Sequence, residues 1–311
     1  MEISVIIPVY NKEEYLDHCF ESIFQQSFSS FEVVAVDDGS TDHSGSICDQ
    51  WAAKEPRLHV IHVSNGGVTA ARRIGYQQSQ GRYIMFADAD DLLTEGSLQL
   101  MYDTIERTQA DEVIGPYDDQ YGHRHDSGLR DFVEPELLIR DLLAVRSKFC
   151  VLWGIIFRRE LLSGCLLAPR QIVEREDSLM QIKCLMRQPR VYFIDKPAYL
   201  HYEDVPNSRR ESLDWIRIYD EELRQTLQPQ WQRYQSAFVH HQLKVYEKFI
   251  DRRQFHVFQD YYRPLRHQLT SDIPLMDRIA ILLPPRLSYF LIHGYKLFLR
   301  HARAPHTSTL S

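Results

Sequence analysis

Over the first hundred residues one pattern repeats: a short run rich in Val, Ile and Phe, then a stretch with helical spacing. That alternation specifies βαβ units, and with them an α/β fold whose mostly parallel sheet is covered by helices. Ser4 to Pro8 reads as the first strand, Phe31 to Val36 as the second, Leu58 to Val63 as the third, Tyr83 to Ala87 as the fourth and Glu112 to Gly115 as a fifth. After the first strand, Asn11 and Glu14 have the spacing of a capping box, and Tyr15, Cys19, Ile23 and Phe24 recur on one helical face. In an open sheet of this kind ligands bind beyond the carboxyl ends of the strands, where strand order reverses.

The polar clusters fall at those ends. Tyr10-Asn11 follows strand one, Asp37-Asp38-Gly39-Ser40-Thr41-Asp42 strand two, Asn65-Gly66-Gly67 strand three, and Asp88-Ala89-Asp90-Asp91 strand four. The last places three carboxylates within four residues. Carboxylates at i and i+2 just past a strand can converge on one hard divalent cation, and Mg²⁺ or Mn²⁺ held by few protein oxygens usually takes phosphate oxygens as further ligands. The alternative is an acidic turn that opens the next helix, with Asp90 or Asp91 near its N-terminus. Four acidic or glycine turns meeting at one rim favour a single composite site.

Taken together, Ile7-Pro8-Val9-Tyr10-Asn11, Val36-Asp37-Asp38-Gly39-Ser40-Thr41-Asp42, Asn65-Gly66-Gly67-Val68-Thr69-Ala70-Ala71-Arg72 and Phe86-Ala87-Asp88-Ala89-Asp90-Asp91 resemble the successive motifs of the family 2 inverting glycosyltransferases with the GT-A fold. The likeness covers roughly the first 110 residues, with a weaker continuation to about residue 210. It implies a GT-A domain over residues 1–213, its donor half at 1–110 and its acceptor half at 111–213, followed by a helical region at 214–311. It also implies a nucleotide-diphospho-sugar donor, most often UDP-linked, with Mn²⁺ or Mg²⁺ on the Asp-Xaa-Asp motif. The donor contacts carried over are Pro8, Tyr10, Asn11, Asp37, Asp38, Asn65, Gly66, Arg72, Asp88 and Ala89; the metal ligands are Asp88 and Asp90, with Asp91 as a third acid that either ligates or serves the next helix.

Each role has a physical rationale. A uracil or guanine offers an N–H that Asp37 or Asp38 can accept in a charge-assisted hydrogen bond, while Gly39 turns the chain and Asp42 caps the helix. The Tyr10 ring either flanks the base or packs. Asn65-Gly66-Gly67 permits close backbone approach, and Arg72 one turn on either touches the diphosphate or faces solvent. Displacement at the anomeric carbon with inversion requires a base for the acceptor hydroxyl. Glu174-Arg175-Glu176-Asp177 precedes an apolar helical pattern and resembles the family's Glu-Asp motif, which makes Asp177 the general base and Glu176 its neighbour; an ordinary helix N-terminus is also acidic.

Two departures from the family pattern stand out. In Trp153-Gly154-Ile155-Ile156-Phe157-Arg158-Arg159 a customary Lys is Ile155. After Tyr199-Leu200-His201-Tyr202, where relatives often carry a basic run, Glu203-Asp204-Val205 intervenes, so that phosphate contacts from this loop fall to His201, Arg209 or Arg210, or to none. His201 reads either as a metal or phosphate contact or as a packed ring.

The formal charge of −7 and the lack of a basic stripe interleaved with aromatics exclude general nucleic-acid binding. Five cysteines without a Cys-Xaa-Xaa-Cys fit a reducing cytoplasm. With Met1 leading straight into strand one, the expectation is a chain without an amino-terminal signal or anchor. After Asp277 no acidic residue occurs, while Arg278, Arg286, Lys296, Arg300 and Arg303 accompany Leu282, Leu287, Phe290 and Leu291. That basic amphipathic region is suited to an anionic membrane surface, or to packing on its own domain or a sister chain. The expected acceptor is a glycan or lipid-linked glycan. Other readings are a nucleotide-sugar-binding protein without transfer activity and another nucleotide-sugar enzyme on this fold. A triphosphate-using enzyme should carry a glycine-rich basic loop near its amino terminus, which Pro8-Val9-Tyr10-Asn11 is not.

Overall fold

The computed structural model describes residues 1–145, 149–203, 215–256 and 262–303. The chain divides into two compact units, residues 1–142 with 147–226, and residues 143–146 with 227–311. The first unit opens with β1 (Ile3–Val9), α1 (Leu16–Phe24), β2 (Phe31–Asp37), α2 (Ser44–Ala52), β3 (Leu58–His62), α3 (Val68–Gln78) and β4 (Tyr83–Phe86). It continues with β5 (Leu92–Leu93), α4 (Ser97–Thr108), β6 (Glu112–Ile114), β7 (Tyr117–Asp119), β8 (Arg124–His125), β9 (Asp131–Val133) and α5 (Pro135–Leu143). It closes with β10 (Ile155–Arg158), α6 (Arg159–Leu162), α7 (Glu176–Leu185), β11 (Val191–Phe193), β12 (Tyr199–His201) and α8 (Trp215–Leu227).

An eight-stranded sheet has the order β3-β2-β1-β4-β10-β6-β11-β9, and a four-stranded sheet the order β5-β12-β7-β8. The first four strands pair in parallel, with Val9 beside Asp37 and Ile6 beside Phe86, so their carboxyl ends share one rim. The expected fifth strand, β6, does not adjoin β4: β10 lies between them, antiparallel to both.

Helices cover both faces, which is why β2 is buried along its whole length. Its alternate residues divide accordingly. Val33 and Ala35 join the core that includes Leu16, Phe20 and Ile23 of α1, whereas Val34 and Val36 pack with Ala71 of α3. Helix α3 approaches so closely at Gly75 that a β-carbon there would lie 2.4 Å from Ile6 Cγ2.

The capping box at Asn11 and Glu14 does not form. Helix α1 starts at Leu16 with Tyr15 at its N-cap and no side-chain cap. Asn11, at a φ of 52°, instead accepts from the Thr41 N–H at 2.8 Å, and Glu13 accepts from the His43 N–H at 2.7 Å. The loop after β1 spends its side chains on the loop after β2, and that long-range tie displaces the local cap.

In the second unit, α9 (Trp231–Asp251), a 3₁₀ turn at Arg263–His267, α10 (Leu275–Leu282) and α11 (Pro285–Arg303) surround a core that includes Phe238, Leu243, Ile250 and Ile281. Asp277 joins His240 and Lys244, each at 2.7 Å. Among the described residues no helix is long and apolar enough to cross a membrane.

Candidate active site

The rim begins with the turn after β2. Asp37 accepts from the Ser40 N–H at 3.0 Å and faces His62 Nδ1 at 2.9 Å. Burial pushes its carboxyl up, but the Ser40 and His62 hydrogen bonds outweigh this and hold it below the usual range. Asp38, 3% exposed, accepts from the N–H of Gly66 at 2.7 Å through one oxygen and of Gly67 at 2.8 Å through the other. One carboxylate thus clamps the loop after β3 to the end of β2. Gly39 makes the clamp feasible: it sits at a φ of +72°, and a β-carbon would lie 2.8 Å from the Asn65 nitrogen. Pro8 and Tyr10 are half-buried beside this turn, and Asn11 is exposed. Asn65 accepts from Arg170 at 2.8 Å.

At the end of β4 each acid of the cluster faces a different basic side chain. Asp88 pairs with Arg72 at 2.9 Å, Asp90 with Lys12 at 2.6 Å, and the buried Asp91 with His201 at 3.1 Å. Ala89 is buried, and the Asp88 N–H donates to the Tyr199 hydroxyl at 2.8 Å. Asp91 also accepts from the Tyr202 N–H at 2.8 Å. Burial, opposed by His201 and reinforced by Asp88, pushes the Asp91 carboxyl up to about 6. Burial lowers and Asp91 more than restores the His201 imidazole, which ends above its ordinary value. The His201 ring stacks on Trp153 with centroids 4.9 Å apart, so it is both packed and paired.

The all-oxygen donor set of Asp88 and Asp90 suits Mg²⁺ or Mn²⁺. The Lys12 ammonium already lies 2.6 Å from Asp90, a protein cation at this donor set.

Arg72 lies neither in solvent nor open to a ligand. It is 2% exposed, donating through Nη2 to Asp88 and through Nη1 to Asp177, whose other oxygen accepts from the Leu152 N–H at 3.3 Å. Both carboxylates favour the charged guanidinium, whose pKa rises despite burial. Burial raises the Asp177 carboxyl, Arg72 draws it down and Asp88 pushes it up again, leaving it above the carboxylate norm. Asp177 and the buried Glu176 open α7, following Arg175 in a left-handed conformation at a φ of 66°. Arg209 and Arg210 lie outside the described residues.

Sequence reasoning missed Lys12, Tyr199 and the link from Arg72 to Asp177. A lone lysine just past a strand and a tyrosine among aromatics carry no local signal, because their partners lie 78 and 111 residues away.

Residues 4–165 match the model of the family described as glycosyl transferase family 2. The protein named uncharacterized glycosyltransferase EpsJ, from Bacillus subtilis (strain 168), is 30% identical over 239 residues, which are 73% of this chain and 67% of that one. The crystal structure of S. aureus TarS 1–349 in complex with UDP-GlcNAc aligns with a TM-score of 0.67 at 20% identity, over 96% of this chain and 92% of that one. Mannosyltransferase PcManGT from Pyrobaculum calidifontis, in complex with GDP-Man and Mn²⁺, aligns with a TM-score of 0.52 at 20% identity, over 96% and 80%. From its rim of acidic and glycine turns to its matched family model, the chain belongs to glycosyl transferase family 2 and is a glycosyltransferase of the GT-A fold.

Proposed function

We propose that this enzyme transfers a sugar, with inversion, from a nucleotide-diphospho-sugar, foremost a UDP-sugar, to a hydroxyl of a glycan or lipid-linked glycan. The observation that carries the reading is the chain Asp177–Arg72–Asp88, which sets a carboxylate of raised pKa one guanidinium away from the acidic cluster at the end of β4. TarS in complex with UDP-GlcNAc and PcManGT in complex with GDP-Man and Mn²⁺ support a nucleotide-sugar donor and a divalent ion.

Residues 1–110 form the donor half in this reading. Asp38 retains one lone pair on each oxygen beyond its bonds to Gly66 and Gly67, and these accept the imide N–H of the base. Asp37 holds the turn, Pro8 and Tyr10 flank the base, and the backbone at Asn11, Asn65, Gly66 and Ala89 lines the donor. Asp90 with Asp88 would hold Mg²⁺ or Mn²⁺, which when bound neutralises charge on the departing diphosphate. Lys12 leaves Asp90 and turns to the phosphates.

Residues 111–213 present the acceptor. Its hydroxyl gives its proton to Asp177 as the oxygen bonds to the anomeric carbon, and the bond to the diphosphate oxygen breaks on the opposite face. Arg72 keeps Asp177 ionised and aimed, and Glu176 and His201 border the site. Residues 214–311 dock the enzyme on the cytoplasmic face of an anionic membrane through the exposed apolar side chains of α10 and α11.

The test is Asp177→Asn. Metal-dependent UDP binding stays near wild type while glycosyl transfer falls on the order of 10²-fold or more. Wild-type transfer by the variant removes Asp177 from the mechanism. Tight UDP-sugar binding by the unmodified enzyme, without turnover on any hydroxyl acceptor, supports the binding-protein reading instead.

A further inference from the structure

We propose that Asp119, His125 and Glu203 form a second cation site, on the small sheet, for a zinc-like divalent ion, with His123 at its edge. None of these side chains belongs to the acidic cluster at the end of β4. The hairpin of β7 and β8 supplies Asp119 and His125, and the segment just past β12 supplies Glu203.

The geometry centres on Asp119, which is nearly wholly buried. Its Oδ1 accepts from the backbone N–H groups of Tyr121 and His123, each at 2.9 Å. That leaves Oδ2 facing two imidazoles, His123 Nδ1 at 3.0 Å and His125 Nε2 at 2.9 Å. Glu203 Oε1 approaches the same His125 Nε2 at 3.9 Å. The ligand atoms of Asp119, His125 and Glu203 all lie within 4.8 Å of one another.

A hydrogen-bonded hub accounts for Asp119 and the histidines but not for Glu203. An imidazole nitrogen carries at most one proton, so His125 Nε2 can serve only one of the two carboxylates that converge on it. Asp119 and the half-exposed Glu203 thus bring two negative charges to one imidazole, and a cation among them would balance both. Tetrahedral bonds of about 2.0–2.1 Å place ligand atoms roughly 3.3 Å apart, so binding would open the 2.9 Å contact and draw together atoms that now lie within 4.8 Å of one another.

The surroundings hold the donors in place. The Tyr117 ring stacks on His125 with centroids 4.6 Å apart and an interplanar angle of 3°. The Glu203 N–H donates to Gln120 Oε1 at 3.0 Å, tying that segment to the hairpin. An imidazole nitrogen beside two carboxylate oxygens suits a borderline ion such as Zn²⁺, whereas the oxygen-only cluster of Asp88 and Asp90 suits Mg²⁺ or Mn²⁺. In the sheet Asp119 is the ladder partner of His201, so a cation here would brace the strand whose histidine contacts Asp91.

The experiment uses the full chain, free of any polyhistidine tag and stripped by chelator, titrated with Zn²⁺ by calorimetry and with Co²⁺ by visible absorption. Asp90→Asn silences the first site and should leave one equivalent of Zn²⁺ bound, with a tetrahedral Co²⁺ spectrum. In that background His125→Gln should weaken Zn²⁺ at least tenfold. Glu203→Gln, at a more exposed position, should weaken it with an unchanged melting profile, which separates loss of a ligand from loss of the hairpin. Abolition of Zn²⁺ binding by Asp90→Asn alone, or unchanged affinity after both further substitutions, overturns the proposal.

Discussion

Arg72 and Asp177 are 105 residues apart in sequence and joined by a direct hydrogen bond from Nη1 to Oδ1. Since the same guanidinium also holds Asp88 at 2.9 Å, the helix start that carries the proposed base and the strand end that carries the proposed metal ligands are fixed to one buried cation. A change at Arg72 would therefore act on both halves of the proposed reaction.

Arg72→Met leaves Asp88 and Asp177 as neighbouring carboxylates without their cation. Removing one partner of a buried ion pair costs about 3–5 kcal/mol, and the partial exposure of Asp88 puts this case at the low end. The denaturation midpoint in urea should fall accordingly, with Arg72→Lys recovering part of the loss. Without the guanidinium the Asp177 carboxyl rises further, so the acid limb of the kcat/KM profile should move to higher pH. An unshifted limb would mean that Arg72 does not set the ionisation of the base.

Lys12 predicts a competition. Its ammonium sits 2.6 Å from Asp90 Oδ2 with both side chains mostly covered, and a divalent ion must displace it. A partly exposed pair of this kind is worth about 0.2–1 kcal/mol. Lys12→Met should therefore tighten Mn²⁺ binding by up to about fivefold in the absence of donor, as read by electron paramagnetic resonance of free Mn²⁺. In the presence of UDP the gain should shrink if the same side chain turns to the phosphates as proposed. Weaker Mn²⁺ binding by the variant would show that Lys12 supports the metal rather than opposing it.

The strands and the rim were legible because they rest on local signals: the Val-rich runs of β1 and β2, and turns whose Gly and Asp residues are required by backbone shape. What the sequence did not disclose is long-range pairing. No local pattern announced that Asp38 grips Gly66 and Gly67, or that Arg72 is buried between two acids. A carboxylate that stabilises a loop and one that binds a base have the same local signature. Likewise β10, at Ile155–Arg158, gave no sign that it would insert antiparallel between β4 and β6, since strand order is decided by tertiary packing rather than by local pattern.

Glu112 of β6 gives a stability prediction. Its Oε1 accepts from Gln181 Nε2, while its Oε2 and Gln181 Oε1 have no partner among the described residues. A proton on Glu112 Oε2 completes a cyclic acid–amide pair and satisfies both atoms. Burial pushes this carboxyl up to about 8, so the folded chain keeps a proton that the unfolded chain releases above about pH 4.3. The contribution is fully present below the unfolded value and is lost as pH rises toward about 8, with a slope of up to about 1.4 kcal/mol per pH unit. Glu112→Gln keeps the amide contact and removes the titration. Urea melts of the two proteins from pH 5.5 to 8.5 should diverge, the wild type losing stability faster as pH rises. Parallel curves would place Glu112 ionised in the fold.

The last prediction concerns α10 and α11. Leu275, Leu282, Leu287 and Phe290 are large apolar side chains left exposed on these two helices, and no acidic residue follows Asp277 in the sequence. Apolar side chains inserted at the lipid boundary, together with arginines at the headgroups, favour anionic vesicles over neutral ones. Burying a Leu or Phe is worth about 1.5–3 kcal/mol, so Leu287→Glu with Phe290→Glu should weaken binding to vesicles containing phosphatidylserine at least tenfold. Both positions are solvent-facing, so the melting temperature and transfer to a water-soluble acceptor should not change. Neutral vesicles should bind the wild type poorly, and raised salt should release it from anionic ones. If the double variant sediments with anionic vesicles as the wild type does, these helices face something other than lipid, and a concentration-dependent shift in sedimentation that the same variant abolishes would identify a second copy of the chain as the partner.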